Sequence, residues 1–151
     1  MRMCVVYATR RGSTKRVAEV IAEELKRMDV EVKLTNVNEN PPVEDCDLLI
    51  LGAPVYYEGP LPEIRRFVEL HNGLKGKNVA LFMLCIAEKF GNAGKYYTER
   101  RYLRLMVEPI VGEVVAQKVF EGWIFKENLK TIEEAREWAR RLFRLLRREK
   151  T

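Results

Sequence analysis

Six consecutive residues, Thr9-Arg10-Arg11-Gly12-Ser13-Thr14, have the types and spacing to hold an anion. Thr9, Ser13 and Thr14 each offer a hydroxyl donor, and Gly12 lets the backbone approach a ligand closely. The six follow an apolar run, Met3 to Ala8, and precede an amphipathic pattern, Lys15 to Met28. A strand that opens a helix through such a turn aims the unpaired N–H groups of the first helical turn at one point. The positive end of the helix dipole lies behind them. The chemistry implied is phosphate binding. The same residues also suit a helix N-cap that binds nothing, because Ser and Thr are favoured there. The turn is neither GxGxxG nor the lysine-bearing GxxxxGK(S/T) loop.

Two further loops carry groups suited to a flat cofactor. Gly52-Ala-Pro-Val-Tyr-Tyr-Glu-Gly-Pro60 follows the apolar run Asp47 to Leu51. Gly52 and Gly59 are expected to allow tight turns and Pro54 to stiffen the loop, while Tyr56 and Tyr57 supply flat faces. The alternative is that these tyrosines pack the following helix. The third loop, Leu84-Cys-Ile-Ala-Glu-Lys-Phe-Gly-Asn92, contains Cys85. That thiol reads either as a nucleophile or redox group, with Lys89 as its nearest activator, or as a small buried residue beside a ligand.

The elements that must position these loops alternate in type. Strands are expected at Met3–Ala8, Glu31–Thr35, Asp47–Leu51, Val79–Leu84 and Glu113–Phe120. Helices are expected at Lys15–Met28, Leu61–Leu70 and Lys95–Val107, with a last one capped by Thr131 and running to about Arg148. Thr131 and Glu134 have capping-box spacing. Gly91 to Gly94 reads as a loop, and the crossover Val37 to Cys46 is too short and irregular for a full helix. Alternation of this kind implies parallel strands with right-handed crossovers and helices on both faces. The order 2-1-3-4-5 places a switch point between the first and third strands, where open α/β sheets bind ligands. In the last helix Ile132, Ala135, Trp138, Ala139, Leu142, Phe143 and Leu146 form an apolar stripe. Arginines 136, 140, 141, 144, 147 and 148 flank it. The stripe reads as core, with Trp138 buried, in preference to a membrane-surface face.

The 151 residues fit one domain, 1–151, with enough chain for a single core. Apolar residues make up 47% of the chain, no run is long enough to span a membrane, and no signal-peptide pattern opens it, so a cytoplasmic protein is expected. Cys4, Cys46 and Cys85 are odd in number and without CxxC spacing, which implies neither disulfide framework nor metal site. The single histidine, His71, falls at an expected helix end and reads as an exposed terminal residue, not a base. Charged residues are 32% and glutamine occurs once, a thermophile-like bias. The net charge is +5 and the isoelectric point about 9.2.

The order and spacing of the three loops resemble the flavodoxin family over nearly the whole chain. The resemblance implies a flavodoxin-like three-layer α/β sandwich that binds FMN. By position, Thr9, Arg10, Arg11, Gly12, Ser13 and Thr14 would hold the phosphate. Pro54, Val55, Tyr56, Tyr57 and Gly59 would line the ring. Cys85, Ile86, Ala87, Gly91 and Asn92 would touch its other edge and the ribityl chain. Within the family, the start Ala8-Thr-Arg-Arg-Gly-Ser-Thr14, together with Tyr96 and Arg100 to Leu105, is most similar to the flavodoxin domains related to menaquinone-dependent protoporphyrinogen oxidase. That oxidase carries a long basic, aromatic insertion after its last strand. Here Gly122 to Thr131 is only a short connector.

Three functions follow from the resemblance: an FMN-binding electron-transfer protein, an FMN-dependent oxidase or reductase of an anionic substrate such as protoporphyrinogen, or a non-redox binding module. A flavin carries its own redox chemistry, so no catalytic side chain is named. The expected partner is a redox protein or an anionic small molecule, with no nucleic acid and no stable membrane insertion. Peripheral membrane contact and oligomeric state stay open. The familiar carriers of the family are acidic, and this chain is basic.

Overall fold

A computed structural model describes residues 1–56, 59–60, 62–85 and 92–149. Five parallel strands form the sheet: β1 (Arg2–Tyr7), β2 (Glu31–Asn36), β3 (Leu48–Tyr56), β4 (Asn78–Cys85) and β5 (Glu113–Glu121). Four helices alternate with them: α1 (Ser13–Arg27), α2 (Pro62–Leu70), α3 (Asn92–Val107) and α4 (Leu129–Glu149). The strand order is 2-1-3-4-5, as the alternation implied. The crossover from β2 to β3 holds one short 3₁₀ turn, Val37–Glu39, in place of a helix.

Burial follows the sequence pattern. β1 and β4 are buried on both faces, and the edge strand β2 alternates exposed and half-buried residues. One core contains Met3, Val5 and Tyr7 of β1 with residues of α1 and α4. The other contains Cys4, Val6 and Ala8 with residues of α2 and α3. Trp138 is 6% exposed and packs edge-on against Phe82 and Phe120, with centroids 6.0 and 5.9 Å away. The α4 stripe is therefore core, as expected. Two of its flanking arginines face inward as well: Arg140 lies 3.0 Å and Arg136 4.0 Å from the nearly buried carboxylate of Glu24 on α1. No described helix is long and apolar enough to cross a membrane.

Four local expectations need correction. Cys4 and Cys46 form a disulfide, with Cα atoms 5.8 Å apart. Their separation of 42 residues carries no spacing signal, but β1 and β3 are neighbours and the Asp47 N–H donates to the Arg2 carbonyl at 2.8 Å. The topology thus brings Cys46 to Cys4. Second, Thr131 does not cap α4. Asn128 does, its Oδ1 accepting from the Thr131 N–H at 3.2 Å, while Thr131 Oγ1 donates to the Glu121 carbonyl at 2.6 Å. Third, Asn92 to Gly94 belong to α3 and not to a loop. Fourth, β3 runs on through Gly52 to Tyr56, so Gly52 is no tight turn. A Cβ there would sit 2.0 Å from Phe82 Cζ, so the glycine makes room for that ring.

Candidate functional site

At the C-terminal ends of β1 and β3 the chain makes the turn from Thr9 to Thr14. Gly12 is left-handed at φ +91°, a backbone state that favours glycine, and its N–H donates to Thr9 Oγ1 at 3.0 Å. The turn closes on itself without capping α1: Gly12, at the N-cap, has no side chain to offer, and no acid lies in the first turn. The positive end of the dipole is thus left for an outside anion. Thr14 is completely buried, and its Oγ1 has no hydrogen-bond partner among the described residues. A buried orphan hydroxyl costs free energy unless something satisfies it.

The two arginines of the turn differ. Arg10 forms a two-point ion pair with Glu63 of α2, at 2.8 and 3.2 Å. That fork fastens the turn to α2 and takes up most of its charge. Arg11 is exposed and forms no ion pair among the described residues. It is the cation of the turn available to a ligand.

Thr9, Arg10, Arg11 and Ser13 line one side of a cavity of about 300 Å³. Pro54 and Val55, half-buried at the end of β3, line another. The structure therefore brings the expected phosphate turn and part of the expected ring loop into one space. Tyr56 ends β3 and pairs antiparallel with Gly59, in a two-residue return. Cys85 is buried at the end of β4, outside the disulfide, and its carbonyl accepts from Gly122 N–H at 3.2 Å. Its burial fits the packing reading of that thiol better than the nucleophile reading. Asn92 opens α3. Tyr57, Ile86, Ala87 and Gly91 lie outside the described residues, as does Lys89.

The remaining wall comes from residues outside the three expected loops, apart from Leu84. Leu84, Gly122, Trp123 and Ile124 complete the cavity. In the sequence the segment after β5 reads as a short connector. Two facts pointed to more: it leaves the same sheet edge as the other loops, and Trp-Ile-Phe is an unusual composition for a solvent-facing link. Arg16 of α1 anchors it, donating from Nε to Glu127 Oε1 at 2.7 Å. That hydrogen bond is the main cause of a raised Arg16 pKa, against partial desolvation. His71 is not part of the site; its ring lies on Phe67 at 4.6 Å, with Nε2 2.9 Å from Asn40 Oδ1. No cluster of potential metal ligands occurs among the described residues.

An open parallel sheet with an uncapped, glycine-hinged turn and an apolar slot at its switch point is an architecture for a phosphate-bearing cofactor. Residues 4–145 match the family model described as flavodoxin domain, and the chain belongs to that family. It is similar to protoporphyrinogen IX dehydrogenase (quinone) of Escherichia coli strain K12, 30% identical over 73 residues. That match covers 47% of this chain and 40% of that protein. The flavodoxin of Clostridium saccharobutylicum is 30% identical over 87 residues, or 54% of each chain. A solved short-chain flavodoxin associated with a bacterial microcompartment superposes with a TM-score of 0.69 at 21% identity, covering 97% of this chain and 99% of that one. This last likeness concerns the fold alone.

Proposed function

We propose that the protein binds FMN and transfers electrons, in the manner of the flavodoxins to which it is related. The carrying observation is the buried, unpartnered Thr14 hydroxyl on an uncapped helix, beside a cavity walled by Thr9, Arg11 and Ser13. These groups fit a phosphate dianion: hydroxyl and backbone donors, a positive helix end, and one cation that forms no ion pair among the described residues. Pro54, Val55, Leu84, Trp123 and Ile124 supply the apolar surface that a flat ring needs. When bound, the flavin itself accepts and releases the electrons. The protein's part is to anchor the phosphate, to seat the ring and to set the local charge. Thr9, Arg10 and Gly12 hold the turn in shape, and Ser13, Thr14 and Arg11 would hold the phosphate.

The decisive experiment is ligand discrimination by the flavin-free protein. Titration with FMN, riboflavin and FAD, followed by flavin fluorescence, should show FMN binding far more tightly than riboflavin. Equal affinity for riboflavin, or no FMN binding, would remove the phosphate assignment. A colourless protein that never takes up flavin would favour a non-redox binding module instead.

The similarity to protoporphyrinogen IX dehydrogenase (quinone), together with the basic charge, favours a second reading: oxidation of an anionic substrate such as protoporphyrinogen. Turnover of protoporphyrinogen with a quinone, measured on the FMN-loaded protein, separates this enzyme from a carrier.

A further inference from the structure

The segment between β5 and α4 has a second side. While Trp123 and Ile124 line the cavity, the neighbouring apolar residues face water. Ile124 is 44% exposed, Phe125 98% and Leu129 72%. An almost fully exposed phenylalanine beside two other exposed aliphatic residues is unusual for a surface link. The charges among them are also one-sided. Lys126 and Lys130 are exposed and form no ion pair among the described residues, and the segment's acid, Glu127, is held by Arg16. Arg11, also exposed, shares the cavity lining with Ile124.

We propose that this tip docks the protein on an anionic lipid bilayer, with Phe125 entering the headgroup boundary and Lys126 and Lys130 facing the lipid phosphates. Apolar side chains interleaved with unneutralised lysines match a surface that is negative outside and apolar beneath. The tip is short, so the contact is peripheral and reversible. α4, the other basic and apolar element, does not supply the surface: its stripe is core, and Arg136 and Arg140 hold Glu24. Docking through Phe125 would turn the cavity mouth toward the bilayer, whichever ligand fills it. The inference therefore stands or falls independently of the FMN reading.

The test is co-sedimentation of the full chain with two kinds of vesicle: phosphatidylcholine alone, and an equal mixture of phosphatidylcholine and phosphatidylglycerol. Binding is expected only to the mixed vesicles and should weaken as salt rises. Phe125→Ser and the double variant Lys126→Glu/Lys130→Glu should each lower the partition coefficient about tenfold or more. Phe125 makes no core contact, so an unchanged thermal midpoint and circular dichroism spectrum are expected and verify that the variants fold. A blue shift of Trp123 emission on mixed vesicles, absent in Phe125→Ser, is a second readout. Equal binding to both vesicles, binding to neither at low salt, or parent-like binding by Phe125→Ser overturns the proposal. So does a concentration-dependent dimer that Phe125→Ser disperses, because the tip would then be a contact between copies of the chain.

Discussion

Arg16, in the first turns of α1, holds Glu127 at 2.7 Å and so ties the Trp123-bearing wall to the helix that the Thr9–Thr14 turn opens. Both side chains are more than a third exposed, so the pair is screened and contributes less than about 1 kcal/mol to stability. Its consequence is positional. Glu127→Ala should leave the thermal midpoint almost unchanged but release FMN up to about fivefold faster, since RT ln 5 is of that size. Stopped-flow displacement of the flavin measures this. An unchanged release rate would mean that the wall holds its place without the tie.

Thr14 offers a sharper contrast between the empty and the loaded protein. Its Oγ1 is buried without a partner, so Thr14→Val removes an unsatisfied group at nearly constant shape. The flavin-free protein should therefore be as stable as the parent or more so. FMN binding should nonetheless weaken by roughly 1–3 kcal/mol, through loss of a hydrogen bond to a charged group. Thermal unfolding without flavin and fluorescence titration with it check the two halves. Destabilisation of the flavin-free variant would show that the hydroxyl serves the fold.

Gly52 shows where the sequence was legible in outcome and not in cause. In the sequence the glycine reads as a turn, because glycine marks turns more often than it marks close packing. Its real partner is Phe82, on the adjacent strand β4, and cross-strand packing leaves no local trace. Gly52→Ala should cost about 1–3 kcal/mol from overpacking, and Phe82→Leu in the same chain should recover part of that loss. Chemical denaturation of the two single variants and the double variant measures the coupling.

The same distinction holds across the molecule. Periodicity and loop placement made the sheet order, the switch point, the Thr9–Thr14 turn and the buried Trp138 readable, because each depends on local pattern and chain order. Three features depend on which elements meet in space: the Cys4–Cys46 pairing, the Arg10–Glu63 fork and the Trp123–Ile124 wall. The cap of α4 departs from its sequence pattern for a related reason. Thr131 has the right spacing, but its hydroxyl is taken by the Glu121 carbonyl, which leaves Asn128 to cap.

Cys4 and Cys46 close a loop that contains all of α1 and β2. Linking residues 42 apart restricts the unfolded chain, and reduction should cost about 2–4 kcal/mol. Both cysteines are buried, at 4% and 5% exposure, so reductant should reach them only on unfolding. A scan of thermal unfolding with and without dithiothreitol should show a lower midpoint in the reduced protein, and Cys46→Ser should match it. FMN affinity should be unaffected, because the bridge lies toward the N-terminal end of β1 and the Thr9–Thr14 turn follows its other end. If reduction releases flavin without unfolding, the bridge communicates with the site and is more than a staple.

Charge sets the last expectation. Acidic carriers make a flavin's second electron hard to add, because that electron brings negative charge into a negative surrounding. This chain has a net charge of +5, and Arg11, which lines the cavity, forms no ion pair among the described residues. One net charge at 8–10 Å, with an effective dielectric near 40, contributes roughly 1 kcal/mol by Coulomb's law. The potential of the second one-electron step should therefore lie above that of an acidic flavodoxin, and the gap between the two steps should narrow. Arg11→Glu reverses the sign and should lower that second potential, while Arg10→Glu should act mainly through stability, because Arg10 is already paired with Glu63. Association with acidic partners should slow as salt screens the attraction. Spectroelectrochemical titration of the FMN-loaded parent and both variants decides the matter. A second potential insensitive to Arg11→Glu would place the cation too far from the ring, or too well solvated, to govern the chemistry.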